Sequence, residues 1–325
     1  MLQRKRHCAA GQCLERPSLC EVSALLRRCL ATMEQADVRN GEEVALSVAT
    51  YNLLHPKYAV FWGQEEGINA SGDSNWPQRM PCIAALLRDG DLDVYLLQEV
   101  GLDQLVDLRQ VLGGRASPRD VGQQGIVGYT MDLGEYMCVH FTHPGRAARD
   151  GVAILLRRDR LWLRDQWPVP LLGEGGVPYM CAAVALAEDS CGRHVVFSSV
   201  HFYYSRSAVD PEVTLLWHLA HFEQKLRPVA ALVWGGDCNR IYEKPPPGFA
   251  FHPHGMADTR PSGQWKKIDW IFATTWLARS FRTQKFIDST CLPAAATGTT
   301  PSDHRGEALV IVLPSHGFAW CWRKE

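Results

Sequence analysis

The chain has 325 residues, which allows one large domain or two ordinary ones. With 46% hydrophobic and 21% charged residues, it has the composition of an ordinary globular protein with ample apolar mass for a core. The formal net charge of −1 excludes a strong overall attraction for nucleic acid, so a polyanion must be held by a local patch or by bound metal ions.

Residues 1–43 differ in composition from the rest of the chain and are expected to form a separate N-terminal extension. Near its start, basic residues outnumber the acids Glu15 and Glu21. This composition fits an organelle-targeting segment or an accessory helix, although the two acids argue mildly against a transit peptide. We expect residues 44–314 to form the main domain and residues 315–325 to form a C-terminal tail.

The compartment is expected to be intracellular and cytoplasmic, with organelle targeting by the extension left open. The chain has eleven cysteines, an odd number with irregular spacing, which favours a reduced interior over a secreted disulfide framework. No apolar run is long enough to span a bilayer, so we expect no transmembrane segment.

Apolar runs predict buried strands along most of the main domain. In chain order they cover residues 44–54, 94–97, 152–156, 195–200, 229–234, 268–273 and 308–313, and the strand in the first of these is expected to end at Tyr51-Asn52. The segment at 165–178 holds three prolines, which predicts a loop.

Three segments have the apolar spacing or start signals of helices. The first carries Met80, Ile83 and Leu87, and the second begins near Leu102 and stops at two glycines, 113–114. The third begins at Asp210, where a capping acid precedes a proline. With strands throughout and few helices, the pattern predicts an α/β protein with two sheets covered by helices rather than a doubly wound parallel sheet.

Polar residues stand at the ends of several predicted strands. Five of them follow an apolar run, and two precede one: Asn52, Glu99, His201, Asp237 and Asn239 follow, while Asp303 and His304 precede the last strand. Such positions tend to gather along one edge of packed sheets. The two glycines before Asp237 are expected to let the backbone turn sharply where that strand ends.

If these residues meet, their chemistry suits phosphoester hydrolysis. Glu99 with a carboxamide or carboxylate gives the oxygen ligands that Mg²⁺ or Mn²⁺ prefers. Asp237 can orient or deprotonate a water molecule, and His201 and His304 can donate to phosphoryl oxygens. Asp269, buried by its neighbours, can fix the tautomer of one imidazole.

Each of these residues also has an ordinary structural explanation. His201 can be a buried histidine with satisfied hydrogen bonds, and Ser302-Asp303 can be a helix cap or a turn. The Gly-Gly-Asp-Cys-Asn stretch at 235–239 is typical of turns as well. Taken together, these explanations require many separate coincidences.

The ordered set of motifs resembles the endonuclease/exonuclease/phosphatase superfamily over most of residues 44–314. The six motifs are Thr50-Tyr51-Asn52-Leu53, Leu97-Gln98-Glu99-Val100, Val200-His201, Gly236-Asp237-Cys238-Asn239, Ile268-Asp269-Trp270-Ile271-Phe272 and Ser302-Asp303-His304. The resemblance implies a DNase I-like two-sheet α/β sandwich with helices on the outer faces, and Mg²⁺-dependent phosphodiester hydrolysis in which Mn²⁺ can substitute.

The resemblance also implies a role for each motif residue. Glu99 is the principal metal ligand, with Asn52 and Asp303 near the metal ions. Asp237 and Asn239 handle the water and the scissile phosphate. His201 and His304 stabilise the transition state, and Asp269 lies behind His304.

Further residues resemble the deadenylase branch, which includes nocturnin and Angel. They are Asn75, Trp76 and Arg79 ahead of the Leu-Gln-Glu strand, residues 150–154, and the Thr300-Pro301 pair before Ser302. The resemblance implies a 3′-to-5′ exoribonuclease acting on single-stranded RNA.

Two features depart from the branch. Cys238 replaces a bulky apolar residue, which is expected to alter packing more than chemistry. The segment at 240–244 replaces the small residues that seat a terminal adenine, so adenine preference is not expected, and Tyr242 or Phe249 could stack on a base instead. Two other hypotheses are a phosphatase or sphingomyelinase-type phosphoesterase and a non-catalytic binding module.

Overall fold

The computed structural model describes eleven segments of the chain. They are residues 44–58, 76–146, 149–173, 177–203, 210–225, 229–240, 242–246, 249–250, 269–274, 282–284 and 307–313. The predicted N-terminal extension, the C-terminal tail, Asn75, Asp303 and His304 lie outside these residues.

Within the described segments, the strands form two sheets. The eight-stranded sheet has the order β13-β14-β1-β2-β6-β5-β4-β3. Its strands are β1 (Val44–Asn52), β2 (Val94–Gly101), β3 (Arg119–Asp120), β4 (Gly128–Leu133), β5 (Tyr136–Thr142), β6 (Asp150–Arg157), β13 (Arg282–Gln284) and β14 (Glu307–Leu313).

The six-stranded sheet has the order β11-β12-β10-β9-β8-β7. Its strands are β7 (Leu161–Leu172), β8 (Pro178–Asp189), β9 (His194–His201), β10 (Val229–Asp237), β11 (Phe249–Ala250) and β12 (Asp269–Thr274). The described helices are α1 (Trp76–Asp89), α2 (Leu102–Val111) and α3 (Pro211–Lys225).

Three apolar layers hold the domain together. Between the sheets, residues such as Val48, Val152 and Phe197 are fully buried. Leu87 of α1 packs with other residues of both α1 and α2 on the outer face of the eight-stranded sheet. Leu215 of α3 packs in a third cluster, on the six-stranded sheet. The predicted two-sheet α/β sandwich with helices on its outer faces is therefore confirmed.

The loop predicted over residues 165–178 is wrong for most of its length. β7 runs to Leu172 and pairs with β8 through Pro168 and Pro170. Proline has no backbone N–H to donate to a neighbouring strand. Because β7 is the edge strand of its sheet, one side of it has no neighbouring strand, and the missing donors cost no hydrogen bond there. The prolines therefore mark an edge strand rather than a break.

The sharp turn expected at the two glycines of β10 is also wrong. Both glycines lie inside the strand, paired to β9 on one side and β12 on the other. A Cβ on Gly236, whose φ is +150°, would lie 1.9 Å from the Val200 carbonyl oxygen, and one on Gly235 would lie 2.4 Å from the Trp270 carbonyl oxygen. Glycine is required here for close strand approach, and the strand carries Asp237 to its end.

Among the described residues, no helix combines the length and the apolar character needed to cross a membrane.

Candidate active site

Three neighbouring strands of the six-stranded sheet bring acidic and imidazole side chains together. Asp237 ends β10, and in the sheet register it lies opposite His201 of β9 and Asp269 of β12. All three are buried, with exposures of 4% or less. The strand pairing alone thus places three of the predicted site residues side by side.

Glu99 enters the site through a bulge in β2. The pairing of β2 with β6 shifts between Gln98 and Val100, and Glu99 adopts a φ of +52°. A bulge redirects the side chain of the extra residue. Hence β2 does not end at Gln98-Glu99, as the apolar run indicated, but continues to Gly101 with Glu99 turned out of the ladder.

The amide of Asn52 links the two sheets across the site. Its Nδ2 donates to Asp237 Oδ2 at 3.1 Å, and its Oδ1 accepts from the Leu54 backbone N–H at 2.9 Å. Glu99 Oε2 accepts from the His55 N–H at 3.2 Å. The turn after β1 therefore fixes Asn52 and Glu99 together.

A second buried network joins the sheets just behind the site. Thr50 Oγ1 donates to Gln98 Oε1 at 3.2 Å, and Gln98 Nε2 donates to Ser199 Oγ at 3.1 Å. Ser199 Oγ in turn donates to the Leu97 carbonyl at 2.9 Å. These side chains are fully buried, so the distance between the sheets at the site is fixed by satisfied polar contacts.

A gap separates the three central donor atoms. His201 Nε2 lies 3.8 Å from Glu99 Oε1 and 3.7 Å from Asp237 Oδ2. These distances are too long for hydrogen bonds. One donor atom from each of the three residues lies within 4.8 Å of the other two, an arrangement able to hold a metal ion.

Asn239 completes the turn after Asp237. It adopts a φ of +49°, its backbone N–H donates to Asp237 Oδ1 at 3.0 Å, and its Nδ2 donates to the Phe202 carbonyl at 2.8 Å. Cys238 between them is buried in the apolar cluster under α3, and burial raises the pKa of its thiol well above the usual range. Its uncharged, buried thiol agrees with a role in packing.

A second set of polar residues lies beside His201, and the sequence patterns predict no catalytic role for it. Arg146 Nε donates to the Tyr58 hydroxyl at 2.7 Å and lies 3.3 Å from Asp150 Oδ1, while Arg146 Nη1 lies 3.3 Å from His201 Nδ1. The guanidinium also sits over the Tyr58 ring at 4.3 Å. Asp150 is the first residue of the apolar strand β6, so the pattern that singled out Asp303, an acid ahead of an apolar run, would also have found Asp150. Arg146 follows a turn and carries no such signal.

His143 joins this second set. Its Nδ1 accepts from the Cys181 backbone N–H at 3.1 Å, and burial together with Arg146 lowers the pKa of His143 well below its usual value. Burial raises the pKa of Asp150, and the charge of Arg146 opposes that rise. His143 Nε2 and Asp150 Oδ2 are buried without a hydrogen-bond partner among the described residues.

The two aromatic residues considered for base stacking are not available for it. Tyr242 packs between Trp270 and Phe272 and donates to Glu212, and Phe249 is 2% exposed. Arg240 of the same segment is held by ion pairs to Asp210 and Glu212 at the start of α3.

Two of the branch-marking residues serve the fold. Trp76 Nε1 donates to Asp107 at 2.8 Å, and the fully buried Arg79 donates to the carbonyls of Leu53 and Leu54. Arg79 thereby ties α1 to the turn after Asn52. Arg79 thus supports the turn that carries Asn52, and Trp76 ties α1 to α2.

The chain resembles known proteins in sequence family and in fold. The chain matches the model of the Endonuclease/Exonuclease/phosphatase family over residues 49–304. A search of curated protein sequences finds no match.

Solved structures share the fold at low identity. They include ANGEL2, a 2′,3′-cyclic phosphatase (TM-score 0.60, 16% identity, covering 86% of this chain and 99% of that one). The human nocturnin catalytic domain with bound sulfate has a TM-score of 0.55 at 15% identity, covering 84% and 96%. The mannosyl-6-phosphatase Bt3783 of Bacteroides thetaiotaomicron has a TM-score of 0.55 at 17% identity, covering 81% and 98%.

Proposed function

The chain belongs to the Endonuclease/Exonuclease/phosphatase family, and on that basis we propose that it is a Mg²⁺-dependent phosphodiesterase that shortens single-stranded RNA from its 3′ end. The observation that carries the hydrolytic part is the meeting of Glu99, His201 and Asp237 around a gap. The choice of RNA rests on the motif resemblance to the deadenylase branch and on an aromatic surface beside the site.

The donor set fits a hard divalent cation. Glu99 and Asp237 supply carboxylate oxygens, the ligands that Mg²⁺ prefers, and Mn²⁺ accepts the same set. Bound there, the ion would act as a Lewis acid on a phosphoryl oxygen. We keep Asp303 as a further proposed ligand; the bonds of Asn52 to Asp237 and Leu54 favour an orienting role for Asn52 beside the ion.

The remaining residues act on the water and the phosphate. Asp237 is oriented by Asn52 and by the Asn239 N–H, so its carboxylate is fixed to position the attacking water beside the ion. His201 donates to a phosphoryl oxygen as charge develops there. We assign the same task to His304, with Asp269 holding its imidazole.

The aromatic surface consists of the exposed Tyr203 and the partly buried Tyr179 and offers a place for a base. Tyr203 follows His201 by two residues and is 41% exposed, and its ring contacts Tyr179 at 4.8 Å. The Tyr179 carbonyl accepts from the Gly145 N–H, next to Arg146. Stacking on an aromatic ring contributes about 1–3 kcal/mol per base and tolerates any base, so no adenine preference is expected.

Purified full-length protein with Mg²⁺ tests this function on 5′-labelled oligo(A), oligo(U) and mixed RNA, each with a free or a blocked 3′ hydroxyl. The proposal expects stepwise ladders from free ends on all three sequences, and weaker substrate binding with unchanged folding in Tyr203→Ala. Internal cuts, or hydrolysis confined to 2′,3′-cyclic phosphate ends, sugar phosphates or sphingomyelin, would refute the exoribonuclease proposal.

A further inference from the structure

The Arg146 guanidinium is the centre of the polar set beside the candidate active site. It reaches the Tyr58 hydroxyl, Asp150 and His201 from a side chain that is 15% exposed. Burial opposes its charge, but Asp150 and Glu99 raise the pKa of Arg146, so it is a cation. It thus places a permanent positive charge within contact distance of a predicted catalytic imidazole.

Contact with Arg146 determines which ring nitrogen of His201 carries the proton. A guanidinium has only donors, so at 3.3 Å from Arg146 Nη1 the Nδ1 of His201 is the acceptor. The proton of the neutral imidazole is then on Nε2. That nitrogen faces Glu99 and Asp237, so His201 presents an N–H to the gap rather than a lone pair.

The same cation explains a neighbouring cluster that has the composition of a transition-metal site. His143, Asp150 and His201 each place one donor atom within 4.8 Å of the others. Asp150 Oδ1, however, is within reach of both Arg146 Nε and the Tyr58 hydroxyl, and Arg146 also contacts His201. The guanidinium therefore supplies the positive charge at this cluster.

We propose that Arg146 is a positioning residue that sets the metal preference of the active site by holding His201 as an Nε2–H donor. This rests on the proposed function in one respect, namely that the cation binds at Glu99 and Asp237. With Nε2 protonated, His201 cannot coordinate, and the ion is left with oxygen ligands, which suit Mg²⁺. Without Arg146 the proton is free to move to Nδ1, and Nε2 then joins two carboxylates in a mixed set that suits Zn²⁺ or Co²⁺.

The tautomer can be read directly by ¹⁵N NMR of histidine side chains in the metal-free full chain. We expect His201 to be wholly Nε2–H in the wild type and to become a mixture in Arg146→Met/Asp150→Asn, which removes the buried pair together and leaves no unpaired charge. Arg146→Lys should restore the wild-type tautomer. An unchanged His201 signal in the double variant would overturn the proposal.

The buried His140 serves as an internal control. Its Nε2 donates to the Val100 carbonyl, so it carries its proton on Nε2 independently of Arg146. Its signal should stay unchanged in every variant. If it changes with His201, the double substitution has disturbed the fold, and Tyr58→Phe with Asp150→Asn, which keeps the guanidinium, decides whether loss of Arg146 is the cause.

Metal affinity gives a second readout that does not depend on turnover. Loss of a residue that orients a ligand typically changes metal affinity by about 10- to 100-fold, and we expect Zn²⁺ and Co²⁺ to bind tighter by that factor in the double variant, with Mg²⁺ affinity little changed. Because the chain has eleven cysteines and thiolates are zinc ligands, only a gain that disappears when Glu99→Gln is added counts. An unchanged affinity for Zn²⁺ and Co²⁺ in the double variant would overturn the proposed metal selection. A wild type that binds no Mg²⁺ would refute the proposed function but would leave the tautomer result intact.

Discussion

Glu99 reaches the site because a single residue of β2 leaves the ladder. Its φ of +52° is uncommon for a residue with a side chain, and the bulge that imposes it turns the carboxylate toward Asp237 and His201. The His55 N–H then fixes one carboxylate oxygen, leaving the other beside His201 Nε2. A buried carboxylate is stabilised by the donors and cations around it, which is the environment that the proposed Mg²⁺ site would add to the His55 N–H.

At this scale the first prediction is that Glu99→Gln removes the activity by removing the charge while keeping the shape. Loss of one positioned electrostatic contact in a closed site costs about 10²–10³ in rate. The measurements are kcat in Mg²⁺ and Mg²⁺ affinity, with Glu188→Gln as the control because Glu188 pairs with Arg164 away from the site. Near wild-type turnover in Glu99→Gln would show that the metal assignment is wrong.

At the scale of elements, the close packing of β9 against β10 aligns His201 with Asp237. Gly236 makes this possible, since any Cβ there would overlap the Val200 carbonyl. The composition of the Gly-Gly-Asp stretch marks it as special but predicts a turn at its glycines. The structure shows that glycine is needed here because the backbones of the two neighbouring strands approach β10 too closely for a Cβ.

Gly236→Ala should therefore lower stability and activity together. Overpacking against a backbone carbonyl in a strand paired on both sides is expected to lower the free energy of unfolding by about 3 kcal/mol or more. The matched control is Gly192→Ala: Gly192 has a φ of +76° and open space around its Cβ position, so only backbone strain of about 1 kcal/mol is expected. Equal losses in the two variants, measured by denaturant unfolding, would contradict this account of β10.

Other elements show why some predictions from sequence succeed. The strands ending at Asn52 and His201 and the helix capped by Asp210 have local signals, and they lie where predicted. The course of β7 could not be predicted because prolines usually indicate the end of a strand. Only the structure shows that β7 is an edge strand, which tolerates them. Arg146 escapes it because its partners, Tyr58 and His201, are distant in sequence.

At the scale of the whole molecule, the site exists only where the two sheets meet. Asn52 and Glu99 come from one sheet and His201 and Asp237 from the other, and the Gln98–Ser199 contact fixes their separation. The family and the two-sheet fold can be predicted from ordered motifs, whereas the bridging contacts depend on side-chain geometry that spacing does not encode. The roles of Asp303 and His304 stay predictions.

The stability of this domain should fall in mild acid because of buried neutral histidines. Burial lowers the pKa of the fully buried His140 on β5 to about 4, whereas the unfolded chain binds that proton near the ordinary value of about 6.5. The unfolded state thus binds more protons between these values, and the free energy of unfolding falls as pH falls through them. For His140 alone the loss between pH 7 and pH 5 is about 2 kcal/mol.

His140→Gln, which keeps a donor for the Val100 carbonyl, removes this contribution. Denaturant unfolding at pH 7 and at pH 5 measures the fall in the free energy of unfolding between these values. This fall should be smaller by about 2 kcal/mol in the variant than in the wild type. Identical pH dependence in the two proteins would mean that His140 is not held neutral by burial.

The central claim is that Asp237, held between the two sheets, drives Mg²⁺-dependent removal of nucleotides from an RNA 3′ end. The most direct measurement follows 5′-labelled mixed-sequence RNA with Mg²⁺ in the wild type and in Asp237→Asn, with thermal unfolding recorded for both. We predict a ladder of single-nucleotide steps for the wild type, a rate lower by about 10²–10⁴ for the variant, and matching unfolding transitions. An intact RNA with the wild type, or a variant that remains active, would contradict the account.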